Sequence, residues 1–225
     1  MKRIIIICEG ETEREFCKNV LAPHLSHHDI HIQAPLIKKS MGGIVKWSIL
    51  KKEIENYLRE SNVIVTMLID YYGIEKKHEF PQWNEAEKIA DKSTRMNLLE
   101  QKMKKDIDEQ MNHRFIPYIQ LHEFEGLLFN DIHVFHQQFT PKEIVGLKEL
   151  EDTFNDFPNP EMINNDPEKA PSKRLKRIID GYNKVVHGNL LAEAIGITQI
   201  RAKSPRFNQW LEKIINAQIS PCENG

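Results

Sequence analysis

Ile4-Ile5-Ile6-Ile7-Cys8-Glu9-Gly10-Glu11-Thr12-Glu13 is the stretch that decides the fold. Its apolar residues run to Cys8 without alternation, so residues 3–8 are expected to form a strand covered on both faces. Glu9 closes the strand and Gly10 permits a sharp turn or a close approach. Thr12-Glu13-Arg14-Glu15 has the capping-box pattern, and Phe16, Val20 and Leu21 follow at helical spacing. A helix to about Pro23 is expected.

Working outward, Asp29–Ile37 alternates apolar and polar residues, as a more exposed strand does. Gly42-Gly43 makes a break, and 44–59 carries Val45, Ile49, Ile54, Tyr57 and Leu58 on one helical face. Val63–Ile69 reads as a second buried strand and ends in Asp70. Residues 81–112 read as one long or broken helix, and Phe115–Leu121 as a third strand whose Pro117 suggests an edge. Beyond 140, prolines at 158, 160, 167 and 171 punctuate short helices, with no strand pattern. The expected fold is α/β: a mostly parallel sheet flanked by helices over 1–139, and a mainly helical region, 140–225, packing on it.

Bulk composition narrows the function classes. Thirty-one basic against thirty-three acidic side chains exclude a uniformly basic nucleic-acid coat but leave room for a local patch. Cys8, Cys17 and Cys222 show neither CxxC spacing nor an even count, which argues against a disulfide framework or zinc cage and for a cytoplasmic compartment. The apolar run before Glu9 is too short for a signal-peptide core, and no segment approaches the ~20 apolar residues of a membrane span. There is no GxxxxGK[ST] and no Gly-x-Ser-x-Gly.

Ligands of parallel sheets sit beyond the C-terminal strand ends. Glu9, Asp70 and the group His122, Glu123, Glu125 each end an expected strand. Glu9 and Glu13, four residues apart across a strand-to-helix turn, can face one point. Glu11 and Glu15 instead complement the helix dipole from the solvent side. A carboxylate that continues an all-Ile strand needs a partner, and metal ligation supplies one for Glu9 and for Asp70. Hard oxygen donors favour Mg²⁺ or Mn²⁺. Glu123 and Glu125 are either further ligands or acids at a helix start. Lys173, Arg174, Lys176 and Arg177 form a basic run that either contacts phosphates or is a solvated face. Arg206 is a further phosphate-contact candidate, while Phe207 and Trp210 read as core.

At Glu9-Gly10, Glu13 and Asp70 the chain resembles the Toprim domain of primases, topoisomerases and OLD-type nucleases, a Rossmann-like fold. The Glu-Gly-x-Thr-Glu form is especially similar to the OLD-type nucleases, which implies metal binding by Glu9 and Glu13. The usual Asp-x-Asp-Gly reads Asp70-Tyr71-Tyr72-Gly73 here, with Tyr72 replacing the second aspartate. OLD-type nucleases use a late lysine near the metals, which implies a phosphate-clamping role for Lys203. Glu9, Asp70 and Lys203 are then the expected catalytic residues. The order of His122-Glu-Phe-Glu-Gly-Leu-Leu-Phe129, Ala170-Pro-Ser-Lys-Arg174 and Lys203-Ser-Pro-Arg-Phe-Asn-Gln-Trp210 also resembles short stand-alone bacterial Toprim-like proteins of unassigned function. Members of that family are often encoded beside ABC-type ATPases, and the resemblance implies a Toprim-like fold and a role in defence against foreign nucleic acid.

Three functions follow as expectations. The first is a metal-dependent DNA or RNA nuclease. The second is a non-catalytic partner of an ABC-type ATPase. The third is a phosphohydrolase acting on small phosphates, with Asp70 as nucleophile.

Overall fold

A computed structural model describes residues 1–38, 40, 43–163 and 166–218. Gly42 of the expected glycine break and Cys222 lie outside the described residues. The order is β1 (Lys2–Cys8), α1 (Glu11–Phe16), a π-turn (Cys17–Leu21), α2 (Ala22–Ser26), β2 (Ile30–Gln33), α3 (Trp47–Leu58) and β3 (Val63–Asp70). Then come α4 (Trp83–Ala86), α5 (Lys92–Asp106), β4 (Phe115–Ile116), β5 (Ile119–Gln120), α6 (Ile132–Gln138), α7 (Leu147–Asp156) and α8 (Pro171–Ile178). The chain closes with α9 (Lys184–Ile195), α10 (Ile197–Lys203) and α11 (Pro205–Asn216).

All strand pairings are parallel, in the order β2-β1-β3-β4, with β5 continuing beside β3 past β4. The expected α/β class is what the chain adopts. From β1 the chain steps to β2 on one side, then crosses to β3 on the other. The strand order therefore reverses between β1 and β3, the place where open parallel sheets carry their ligand crevice, at the C-terminal strand ends.

The Ile run earns its lack of alternation by serving two cores. Ile4, Ile6 and Cys8 pack into one cluster with α1, α9 and α11; Ile5 and Ile7 pack into another with α3 and α5. Leu50, Ile54 and Leu58 reach the second cluster at spacings of four, the stripe a one-faced helix needs. The C-terminal region shares the first cluster with β1 and β3, through Leu191, Phe207, Trp210 and Ile214.

Local departures from expectation have local causes. The first helix starts at Glu11 without a side-chain cap, so Thr12 is a buried packing residue rather than a capping one. The helical run continues to Ser26 because the wide π-turn precedes Pro23, which lacks an N–H and would crowd an ordinary turn. Pairing of β2 with β1 ends at Gln33, with only a further Cys8–Leu36 bridge. The stretch 81–112 divides into α4 and α5, the latter capped by Asp91, whose side chain accepts from the Thr94 N–H. Pro117 splits the third expected strand, because a residue without an N–H cannot continue the ladder. Cys8 and Cys17 are free and buried, their sulfurs 3.7 Å apart.

Candidate functional site

The crevice between β1 and β3 gathers the acids. Asp70 ends β3, and one of its carboxylate oxygens (Oδ1) accepts the Phe124 N–H at 2.9 Å. Glu9, one residue past β1, accepts the Asp70 N–H through Oε2 at 2.9 Å. The two strand ends are thus tied to each other and to the 122–129 segment by carboxylate-to-backbone bonds. Two glycines make room: a Cβ at Gly73 would meet Glu9 Oε1 at 3.0 Å, and one at Gly10 would meet Glu13 Oε2 at 3.0 Å. Glu13 is 3% exposed on the inner face of α1, whereas Glu11 is exposed and paired with Arg14.

The 122–129 segment sets the backbone that carries Glu123 and Glu125. It continues neither the strand nor an α-helix; Phe124–Leu128 form a 3₁₀ turn anchored by buried Phe124, Leu127 and Leu128. Glu125 is 0% exposed and faces the acidic crevice, while Glu123 accepts the Ser172 N–H at the start of α8 at 2.9 Å. His122 enters the turn at φ +66°, a strained conformation for a non-glycine residue, and accepts the Tyr72 N–H with its carbonyl at 3.0 Å. Its buried Nδ1 has no hydrogen-bond partner, and burial, with the Lys92 charge, lowers its pKa to about 4.

Among the described residues one cation, Lys184, answers this cluster, and sequence reasoning missed it. Lys184, the first residue of α9, places Nζ 3.1 Å from Glu125 Oε1, off the line of a well-directed hydrogen bond. Burial pulls its pKa down, but Glu125, Asp70 and Glu13 outweigh that and hold it well above the usual lysine range. Burial pushes Glu125 up to about 7, opposed by Lys184 and reinforced by Glu123 and Glu13. It also pushes Glu9 to about 7, opposed by the Asp70 N–H and reinforced by Glu13. Asp70 is raised well above the aspartate range by burial, then by Glu13 and Glu9. These mutual effects place Glu9, Glu13, Asp70, Glu123, Glu125 and Lys184 in one electrostatic unit.

The other expected residues lie elsewhere. Lys203 donates to the Asn130 carbonyl at 2.5 Å. Arg206 is spent on α5, donating to Asn97 and Glu100 at 2.6 Å each, while Glu161 accepts the backbone N–H groups of Arg206 and Phe207. Lys173 pairs with Glu168 at 2.6 Å, and Arg174 donates to Lys169 O and Thr153 Oγ1. Lys104 and Lys213, neither ion-paired among the described residues, instead line a groove of about 550 Å³ with Asn97, Gln101, Gln209 and the Arg206-paired acid Glu100.

The oxygen-rich donor set suits a hard divalent cation, and Glu125 brings two buried oxygens with no well-directed donor. Among the described residues, however, no three His, Cys, Asp or Glu side chains converge as a ready-made metal cage. The arrangement defines a class: an α/β chain with carboxylates at the switch point of a parallel sheet. The chain belongs to the family described as a domain of unknown function, DUF4276, whose model matches residues 8–215. No curated protein and no solved structure matches the chain. Among the described residues no helix is long and apolar enough to cross a membrane.

Proposed function

We propose that this chain is a divalent-metal-dependent phosphodiesterase acting on DNA or RNA. The observation that carries the reading is that Glu9, Glu13, Asp70 and Glu125, from separate elements, lie near enough at the β1/β3 crevice to perturb one another's ionisation. Acids are normally kept apart in such buried surroundings, because each raises the cost of ionising the next. Perturbed carboxylates in a crevice are what a metal or a reaction needs. Glu9, Glu13 and Asp70 would hold Mg²⁺ or Mn²⁺, with Glu125 and Glu123 assisting. A bound ion of this kind polarises a phosphoryl oxygen and lowers the pKa of a water. The chain's own part is to orient the carboxylates, through the Asp70 and Phe124 N–H groups, and to offer Lys184 to the phosphate. The Lys184 ammonium is better placed than Lys203 for that role. The Lys104–Lys213 groove is the surface we assign to the nucleic-acid backbone, in place of Lys173, Arg174 and Arg206.

The test is cleavage of single- and double-stranded DNA and RNA with Mg²⁺ or Mn²⁺. Glu9→Gln and Asp70→Asn should each lower the rate by about a hundredfold or more, the scale of losing a metal ligand's contribution. Undiminished cleavage by these variants would sink the proposal. Gly73→Ala is a subtler probe. Its methyl would press on Glu9 Oε1, so cleavage should fall by about tenfold with an unfolding midpoint close to wild type. A Gly73→Ala protein with full activity would show that the position of Glu9 does not matter.

Tyr72 at the second-aspartate position, with an ammonium already neutralising the acids, favours a second reading: a non-catalytic partner of an ABC-type ATPase. It predicts a stable complex with the ATPase, no divalent binding and no cleavage.

A further inference from the structure

Lys184 stands where its own helix disfavours it. At the first position of α9 the positive end of the macrodipole repels a cation, and Asn183 already caps the helix by accepting the Val186 N–H. A local rule broken in this way needs an offset from elsewhere in the fold. The offset is the acidic crevice, which Lys184 reaches because α9 packs directly on α1. Glu125, fully buried with neither oxygen receiving a well-directed hydrogen bond, has the Lys184 ammonium 3.1 Å away as its counter-charge. The contact is close without being locked. The Lys184 side chain is 41% exposed, so its ammonium can swing to solvent by rotamer change alone, with no opening of the backbone.

Resting on the metal-site reading above, we propose that Lys184 is an exchangeable counter-ion: its ammonium holds the carboxylates together in the metal-free protein and is expelled by an incoming divalent cation. Two cations in one buried crevice repel each other, so metal and ammonium compete for the same oxygens. Expulsion moves Lys184 to the mouth of the crevice, where a phosphate would arrive. Metal binding thereby presents the phosphate-binding charge, and substrate follows metal. In the wild type only the fraction of molecules with Lys184 displaced is competent, and the apparent metal affinity is reduced by that fraction.

The full chain is acetylated with a limiting N-hydroxysuccinimide ester, with and without Mn²⁺, and each lysine is read by peptide mass spectrometry. Mn²⁺ affinity is measured by electron paramagnetic resonance for the wild type and for Lys184→Met. Mn²⁺ should raise Lys184 acetylation by about tenfold and leave Lys104 and Lys213 unchanged, since a freed amine loses its carboxylate partner. Lys184→Met should bind Mn²⁺ roughly tenfold tighter than wild type. Tighter binding by the variant with no detectable binding by wild type also supports the exchange. Mn²⁺ binding with unchanged Lys184 acetylation overturns it and leaves the metal site standing, as does weaker binding by Lys184→Met. No Mn²⁺ binding by either protein overturns the exchange and the metal reading together. The wild-type acetylation needs no variant to fold.

Discussion

Trp210→Ala is expected to lower the unfolding free energy by about 4 kcal/mol, the usual range for emptying a buried Trp or Phe site. Trp210 is 1% exposed on α11 and stacks on Tyr118 with ring centroids 4.6 Å apart. Its indole N–H donates at 2.8 Å to Thr66 Oγ1, at the centre of β3. Thr66 in turn donates to the Ile116 carbonyl, so a C-terminal helix is bonded into the middle of the sheet. Truncation removes the packing and leaves the Thr66 oxygen without its donor. Trp210→Phe keeps most of the volume and should cost closer to about 1 kcal/mol, the worth of the hydrogen bond. Urea unfolding at fixed pH measures both. A single transition with an unchanged slope is expected, because the 140–225 region shares one core with β1 and β3. A loss under about 1 kcal/mol for the alanine variant, or a separate early transition, would show that α11 is not part of the cooperative core.

The same contrast between local and distant contacts explains what could be read from the chain. The Ile4–Cys8 run announced a strand buried on both faces, since the pattern is local. Glu9 and Asp70 could be found because each follows an apolar run, and parallel strands bring their C-terminal ends to one edge. Lys184 left only a faint trace, a cation at a helix start behind a capping Asn183. Its partner Glu125 is 59 residues away, and no periodicity links them. Arg206 stood beside a plausible motif, but Glu100 and Glu161, which consume it and its backbone, lie 106 and 45 residues off. Pro117 signalled an edge correctly, yet β5 resumes pairing with β3 beyond it because Ile119 N–H and Glu100 form a 3.0 Å bond that steadies the restart. Long-range ion pairs were the illegible part of the site.

Burial of acids beside one another makes the metal-free protein unusual: its stability should rise as pH falls from 8 to 6.5. Glu125 and Glu9 ionise at about 7 when folded, against an ordinary glutamate value of 4.5. The folded chain therefore holds their protons more tightly than the unfolded chain does. Stability from these groups is complete below the unfolded value and is lost as pH rises through about 7. Asp70, raised by burial and by Glu13 and Glu9, acts in the same sense. Lys184 contributes a constant amount here, because its raised value matters only above the ordinary lysine range. His122 opposes the trend, since its folded value of about 4 costs stability as pH falls below the ordinary histidine value of 6.5. Across the window from 8 to 6.5 Glu9 and Glu125 outweigh His122, and the net gain from these groups should be about 1 kcal/mol, with a steeper rise just below 6.5. Glu125→Gln, which cannot ionise, should remove a large part of that gain. Saturating Mn²⁺, which favours the ionised carboxylates, should flatten it further. Chemical denaturation at pH 8.0, 7.0 and 6.5 in chelator-treated buffer decides the matter. Stability that falls over this range would mean that the carboxylates at the β1/β3 strand ends are not buried together.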